Sequence, residues 1–434
     1  MRVVIVAEVF IPKIDGVVVR TMNLIEHLLA GGDELLVVCP HAEGRDNCPV
    51  STLEFRSFPF PAYPEYRIGI PDKRLPEVIR RFDPDVLHYI NPFAFGFRCY
   101  DLLQQNGVTT PSVFSFHTLY GEFVKRYPLM KPLSRMLWWL MRDYHNCADR
   151  NLTVSTIMQE TLIERGFERV EFWPPAVDST LFTPQRSSAV MRERLSGGHP
   201  DSPLLLTVSR LAPEKSVKFL RGVIEQVPQA RLAIVGDGPQ RGELEAAFAG
   251  TNTRFVGYLS GAELATAYAS ADAFVYASET ETMGNVVLEA MASGLPVVAP
   301  RAGGIPSLMT HGETGMLFPP GDTQAAVDAV EALLTDADFR SHIGAAARQR
   351  VVEWGWRNSA ERVRQHYSDT VAERALGGGA APRRRRLAPA VVSALVLAFR
   401  AMALGSRGPS GAATNRAVPR TPLTPQLSRH TARP

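Results

Sequence analysis

A chain of 434 residues, 45% hydrophobic and 21% charged, has the make-up of an ordinary soluble globular protein with room for two or three cores. No run of about 18 apolar residues occurs, which excludes an evident membrane-spanning helix. Cys39, Cys48, Cys99 and Cys147 lack C-x-x-C or metal-like spacing, so buried thiols in a reducing compartment are expected. The formal charge of +3 is unevenly spread: residues 377–434 hold ten arginines and no Asp, Glu or Lys, leaving −7 on residues 1–376.

Met1-Arg2 leads straight into Val3–Ala7, too short for a signal-peptide core and read as a first buried strand. Pro12-Lys13-Ile14-Asp15-Gly16-Val17 follows, a strand-to-helix turn in which Gly16 could bring backbone amides against a phosphate. Further strands are predicted at Glu34–Cys39, Val86–Tyr89, Ser112–Phe116 and Asn151–Val154, alternating with helical patterns. A proline-rich connection, Trp173-Pro174-Pro175-Ala176-Val177-Asp178 and then Phe182-Thr183-Pro184, separates these from a second series at Leu204–Val208, Arg231–Val235, Ala273–Tyr276 and Pro296–Ala299. The alternation predicts an α/β protein of two doubly wound domains with parallel sheets, residues 1–180 and 181–355. A ligand should bind between them, at the carboxyl ends of the strands. Past Gly377-Gly378-Gly379 the tail 377–434 is expected to be mostly disordered. Its exception is the apolar run Leu387–Phe399 behind Arg383–Arg386, which suits a bilayer interface or has no role.

The chemistry concentrates in the second series. Ser209-Arg210 and Lys215 follow the strand Leu204–Val208, where a guanidinium and an ammonium can neutralise a diphosphate without a metal. Ile234-Val235-Gly236-Asp237-Gly238-Pro239 adds a glycine turn after a strand. The segment Ser278–Val298 carries Glu281 and Glu289 on either side of a predicted helix start at Gly284-Asn285, with Gly294 and Pro296 as the stop signal. Unpaired N–H groups at that helix start suit a diphosphate. Glu289, about a turn in, can accept from two ribose hydroxyls, and Glu281 lies nearer a sugar. Each residue taken singly also fits a plain surface charge.

In this order, and with Ser115-Phe116-His117-Thr118 and Ala302-Gly303-Gly304-Ile305-Pro306, these motifs resemble the retaining glycosyltransferases of family 4, in the glycogen-synthase-like superfamily with the GT-B fold. The resemblance covers roughly residues 1–370 and implies two Rossmann-like domains facing a central cleft. It implies that Arg210 and Lys215 bind the diphosphate, Glu289 the ribose and Glu281 the transferred sugar, with Gly284 and Asn285 near the phosphates. His117 would sit by the sugar's C6 side and Gly16 would close on the β-phosphate. The leaving phosphate would take the acceptor's proton in a front-face displacement, with no metal and no other cofactor. Trp354-Gly355-Trp356 and Ser359–Tyr367 resemble the family's C-terminal helix, residues 356–376, that returns to the first domain.

Phe58–Tyr66, Ile11–Gly16, and His117 followed by Phe123–Tyr127 are similar to sulfoquinovosyltransferases, which implies transfer of sulfoquinovose from its UDP form to diacylglycerol. Lys13, Arg20, Lys125 and Arg126 are candidate cations for the sulfonate or simply a solvated face. Pro174-Pro175-Ala176 stands where relatives usually carry a basic residue and Gly. Met130–Arg142 mixes cations with Trp138 and Trp139, a pattern that fits either a head-group contact or a core-packed helix. The expectation is a cytoplasmic protein peripheral on a membrane, in a plastid or on a bacterial cytoplasmic face, whose partners are a nucleotide-sugar and a lipid acceptor, without nucleic acid. A GDP-mannose-dependent mannosyltransferase on a lipid or polysaccharide is the alternative within enzymes, and a non-catalytic sugar-nucleotide or nucleic-acid binder the one outside them. A nicotinamide-dependent enzyme is disfavoured because no GxGxxG with a ribose-binding acid follows the first strand.

Overall fold

A computed structural model describes residues 1–13, 15–44, 48–60, 63–118, 120, 134–378 and 388–405. Two parallel sheets organise them. The first runs in the order β3 (Ser51–Phe55), β2 (Glu34–Pro40), β1 (Arg2–Ala7), β6 (Val86–Ile90), β7 (Ser112–Phe116), β8 (Arg150–Thr153), β9 (Val170–Phe172). The second runs β12 (Thr253–Gly257), β11 (Arg231–Val235), β10 (Leu204–Val208), β13 (Ala273–Val275), β14 (Val297–Pro300), β15 (Met316–Phe318). A separate antiparallel ribbon pairs β4 (Ser57–Phe60) with β5 (Tyr63–Gly69).

The first strand of each domain lies inside its sheet, between β2 and β6 in one case and β11 and β13 in the other. Strand order therefore reverses beside β1 and beside β10, and the crevice that opens there is where such sheets bind ligands. Val3–Ala7 are fully buried because helices cover both faces, which is why the run is apolar at every position. Besides the ribbon strands β4 and β5, the strands that the sequence does not predict are β3, β9, β12 and β15, all four at the edges of the parallel sheets. An edge strand has fewer neighbours to bury it. Ser51 and Arg254 stand exposed, and β9 and β15 are three residues long.

The two domains are tied by a strap of chain that crosses twice. After β9, Trp173 is buried and donates from Nε1 to Ser359 Oγ at 3.0 Å, while Val177 N–H donates to Trp354 O at 2.8 Å. The helix Trp356–Ala375 lies along the helix Gly16–Ala30, on the first domain. Val363 and Tyr367 enter that domain's core, the Tyr367 hydroxyl shares a 2.6 Å hydrogen bond with His88 Nδ1, and Arg364 and Arg374 pair with Asp33 and Asp149.

Within the tail, Ala388–Gly405 is helical. It lies against the helix Ala94–Gln105 and β4, with Val392 and Val396 buried in the first-domain core, so one side of the apolar run expected to face a bilayer packs on protein instead. Leu397 of the same helix is 63% exposed. Among the described residues no helix is long and apolar enough to cross a membrane.

Candidate functional site

The helix Asn285–Ala292 starts where Gly284, at φ +87°, turns the chain in the left-handed region that glycine favours. Among the described residues no side chain caps it, which leaves its first amides without a side-chain partner. Glu281 and Glu289 flank that start. Each carboxylate is held by a tyrosine of the second domain: Tyr276 OH donates to Glu281 Oε1 at 2.8 Å and Tyr268 OH to Glu289 Oε2 at 2.9 Å. Burial, reinforced by the neighbouring carboxylate, keeps both phenols well above their ordinary pKa, so they remain donors.

The two glutamates differ electrically. Burial pushes Glu281 up, but Lys215, bonded through Nζ to Glu281 Oε1, together with Tyr276 and Ser278, outweighs it and holds the carboxyl below its usual range. Among the described residues no cation offsets the burial of Glu289. Burial lifts it to about 7, against the opposing hydrogen bond from Tyr268. Lys215 ends a single turn, Pro213–Lys215, and Ser278 and Thr280 hydroxyls donate to the carbonyl of Glu214 in the same turn. The turn after β10 is thereby pinned to the glutamate loop.

Behind that loop the backbone passes unusually close to a second one. Gly304 N–H donates to Glu281 O at 2.7 Å, and a Cβ on Gly304 would lie 2.1 Å from Thr282 O. Replacing Gly304 with Val is expected to push Glu281 out of register with Lys215 and lower turnover by about a hundredfold, as an ångström of misplacement does. Steady-state kinetics on a variant that retains a cooperative melt would check it.

Three contacts among the described residues join the first domain to the loop. Thr282 Oγ1 donates to His117 O at 2.7 Å. Asn285 Nδ2 donates to Gly16 O at 3.4 Å, and a Cβ on Gly16 would sit 2.6 Å from that nitrogen, so a larger residue there would displace the Asn285 amide. Arg20 Nη1 reaches Met283 Sδ at 3.0 Å, while its Nη2 donates to the carbonyls of Trp173 and Pro174 at 3.0 and 2.6 Å and its guanidinium lies 4.2 Å from the Trp173 ring centre. Burial lowers Arg20 to about 9. The alternative of a solvated face thus fails for Arg20: it is a buried bolt at the domain junction.

His117 is buried with Nε2 2.9 Å from Ser115 Oγ. Burial first, then Arg20 and His88, hold it well below its usual pKa, so its imidazole is neutral. Arg210 lies with its guanidinium 5.9 Å from the ring centre of Tyr66, and Lys13 Nζ lies 5.1 Å from the same centre. Tyr66 OH donates to Asp15 Oδ2 at 3.1 Å, while Asp15 Oδ1 caps the helix Gly16–Ala30 through the amides of Val17 and Val18. Arg210, Lys215, Glu281, Gly284, Asn285, Gly16 and His117 therefore border the junction, whereas Glu289 stands a turn deeper. Asn285 Oδ1 is buried there without a hydrogen-bond partner among the described residues. Lys125 and Arg126, with Phe123–Tyr127 and Met130–Pro132, fall outside the described residues.

Tyr268, Tyr276, Arg20 and Thr282 join the site without having been singled out for it on sequence, apart from Arg20 as a cation. The available signal was chemical: a tyrosine in an otherwise small, apolar run needs a partner for its hydroxyl. Trp138 turns out to be core, stacked at 8° on Phe116.

Residues 14–181 match the model for "Glycosyltransferase Family 4" and residues 202–336 the model for "Glycosyl transferases group 1". The chain is 39% identical to the sulfoquinovosyl transferase SQD2 of Arabidopsis thaliana, across 81% of this chain and 70% of that one. It is 38% identical to a GDP-mannose-dependent alpha-mannosyltransferase of Mycobacterium tuberculosis, across 85% and 96%. Among solved structures, sucrose-phosphate synthase from Thermosynechococcus elongatus superposes with a TM-score of 0.70 at 23% identity, covering 86% of this chain and all of that one. HepE of Anabaena with UDP and glucose gives 0.66 at 18%, covering 84% and 99%. With the two-sheet architecture and the paired motifs above, these similarities place the chain in glycosyltransferase family 4, as an enzyme of the GT-B fold.

Proposed function

We propose that this glycosyltransferase moves a hexose, with retention, from a nucleoside diphosphate sugar to a lipid acceptor at a membrane surface. The observation that carries the donor half is the Lys215–Glu281 pair beside the uncapped start of the helix Asn285–Ala292, opposite Gly16. In this reading Arg210 and Lys215 take the diphosphate, with the amides of Gly284 and Asn285 completing the cradle. Glu289 accepts from the ribose hydroxyls. Glu281, kept ionised by Lys215, contacts the transferred sugar, and neutral His117 offers a hydrogen bond toward its C6 side. Gly16 lets the first helix close on the β-phosphate. Charge on the departing diphosphate is met by Arg210 and Lys215 without an assigned metal, and the phosphate itself takes the acceptor's proton.

UDP-sulfoquinovose and diacylglycerol are the preferred donor and acceptor, supported by the similarity to a sulfoquinovosyl transferase over four-fifths of the chain. GDP-mannose is the second reading, supported by a mannosyltransferase matched over nearly its full length. A thermal-shift panel of UDP- and GDP-sugars separates them, because only a ligand of the native state raises the melting temperature. UDP-sulfoquinovose is expected to give the largest shift and to yield labelled sulfolipid with diacylglycerol. A shift by GDP-mannose alone would move the assignment, and a shift by no nucleotide-sugar would remove it.

A further inference from the structure

The loop that leaves β6 carries side chains that the donor reading does not use. Asn91 stands there with φ at +49°, in the left-handed region that residues other than glycine enter at a cost, and such backbone clusters at functional sites. Its N–H donates to Ser115 O at 2.8 Å, and its Oδ1 accepts from the His117 N–H at 3.2 Å. A backbone N–H only donates, which fixes the amide the right way round. Nδ2 therefore gives its two hydrogens to Thr118 Oγ1 at 3.0 Å and to Tyr120 OH at 2.9 Å. Both hydroxyls are acceptors toward one buried amide, and each still has its own hydrogen to place. Thr118 bonds Tyr120 in a way that opposes the raised pKa of the phenol, so Thr118 is the donor in that bond. Tyr120 is left with an O–H that no group takes among the described residues. Burial first, then Glu8, Tyr66 and Asp15, keep that proton on. The ring of Tyr120 is half-buried and stacks on Phe93 at 4.6 Å and 20°. Thr118 and Tyr120 follow His117, whose carbonyl takes the Thr282 hydroxyl, so they border the junction from the first domain.

We infer that the Tyr120 hydroxyl, oriented by Asn91 and Thr118, donates to an ester carbonyl of a neutral acylglycerol acceptor, with the Phe93–Tyr120 stack beside the adjoining hydrocarbon. A carbonyl oxygen accepts and has nothing to donate, the complement of a hydroxyl whose lone pairs are already taken. An aromatic wall with one polar contact at its edge suits an amphiphile. An anion is the poorer fit, because the charges that bear on Tyr120 are the carboxyl groups of Glu8 and Asp15. The cations Lys13 and Arg210 gather instead at Tyr66, 5.1 and 5.9 Å from its ring centre.

The assignment rests on the lipid acceptor of the proposed function, and substrate chemistry separates the two. Full-length protein is assayed, with the nucleotide-sugar that stabilises it, on a diacylglycerol and on the dialkylglycerol of equal chain length, whose ether linkages lack the carbonyls. The parent should use the ether about tenfold less well in kcat/KM, as expected for one donor left unpaired. Tyr120→Phe keeps the stacked ring and should melt like the parent. It should lose about tenfold on the ester and nothing on the ether, so that the preference disappears, with donor stabilisation unchanged. A merely structural role would lower both lipids alike. Equal use of ester and ether by the parent overturns the inference and leaves the lipid acceptor standing. So does an equal loss on both lipids in Tyr120→Phe, or a loss of donor stabilisation, which would move the hydroxyl to the donor sugar. Transfer by the parent to neither lipid removes the acceptor reading and this assignment together.

Discussion

Lys215→Ala should lower turnover by about a hundred- to a thousandfold and cost about 2 kcal/mol of stability, and the two losses should prove separable. The ammonium has two jobs. It offsets the burial of Glu281, and in the proposed chemistry it meets charge on the departing diphosphate. Taking one partner from a buried pair leaves an uncompensated charge, and the cost falls at the low end because the lysine and glutamate side chains keep 24% and 14% exposure. Changing Glu281 to Gln as well removes that charge. The double variant should therefore regain most of the melting temperature and none of the turnover. Recovery of turnover along with stability would take both Lys215 and Glu281 out of the chemistry. The pH dependence has a definite sign. Glu281 has a depressed folded pKa, so the pair's contribution is present above the unfolded value and lost as pH falls through the folded one. The stability gap between parent and Lys215→Ala should narrow on acidification, which melts across a pH series would register.

How far such a site can be read from the chain depends on what makes each residue visible. The interior strands were legible because helices bury both of their faces, forcing continuous apolar runs such as Val3–Ala7 and Leu204–Val208. Edge strands such as β12, with Arg254 exposed, escape because their chemistry is that of a loop. The glutamate loop was legible through its glycines and prolines, which mark backbone that must turn or approach closely. Long-range partners were not. Glu8, just past β1, accepts from the amides of Phe93, Phe95 and Gly96 at 2.9, 2.9 and 2.8 Å and so caps a helix 85 residues away. Arg20 looked like any helix-surface cation, because nothing local says that Trp173 and Met283 will enclose it. Periodicity reports how a residue faces its own sheet or helix, and the junction between domains has no period.

Glu289→Gln should abolish the pH dependence of donor affinity that the parent shows around neutrality, besides weakening the affinity itself. Burial sets Glu289 at about 7 in the unliganded protein. Only the carboxylate can accept from both hydroxyls of a ribose, since the acid would turn one acceptor into a donor. Donor affinity should therefore fall about tenfold for each pH unit below 7 and level off above it. The effect on the free protein runs the other way. A carboxyl whose folded pKa is raised lends stability below its unfolded value and loses it as pH rises through the folded one, here between about 4.5 and 7. The loss is on the order of 2 kcal/mol once discounted for partial exposure. Acidification from neutrality thus makes this group better tolerated and the donor worse bound, a pair of opposed trends that a general loss of fold cannot imitate. Glutamine, neutral throughout, should flatten both. Tyr268→Phe removes the bond that holds the carboxylate down and should shift the midpoint of both curves upward. Calorimetric titration of the donor across this range, with melts of the free protein in the same buffers, reads the two slopes together; slopes of the same sign would take Glu289 out of the nucleotide site.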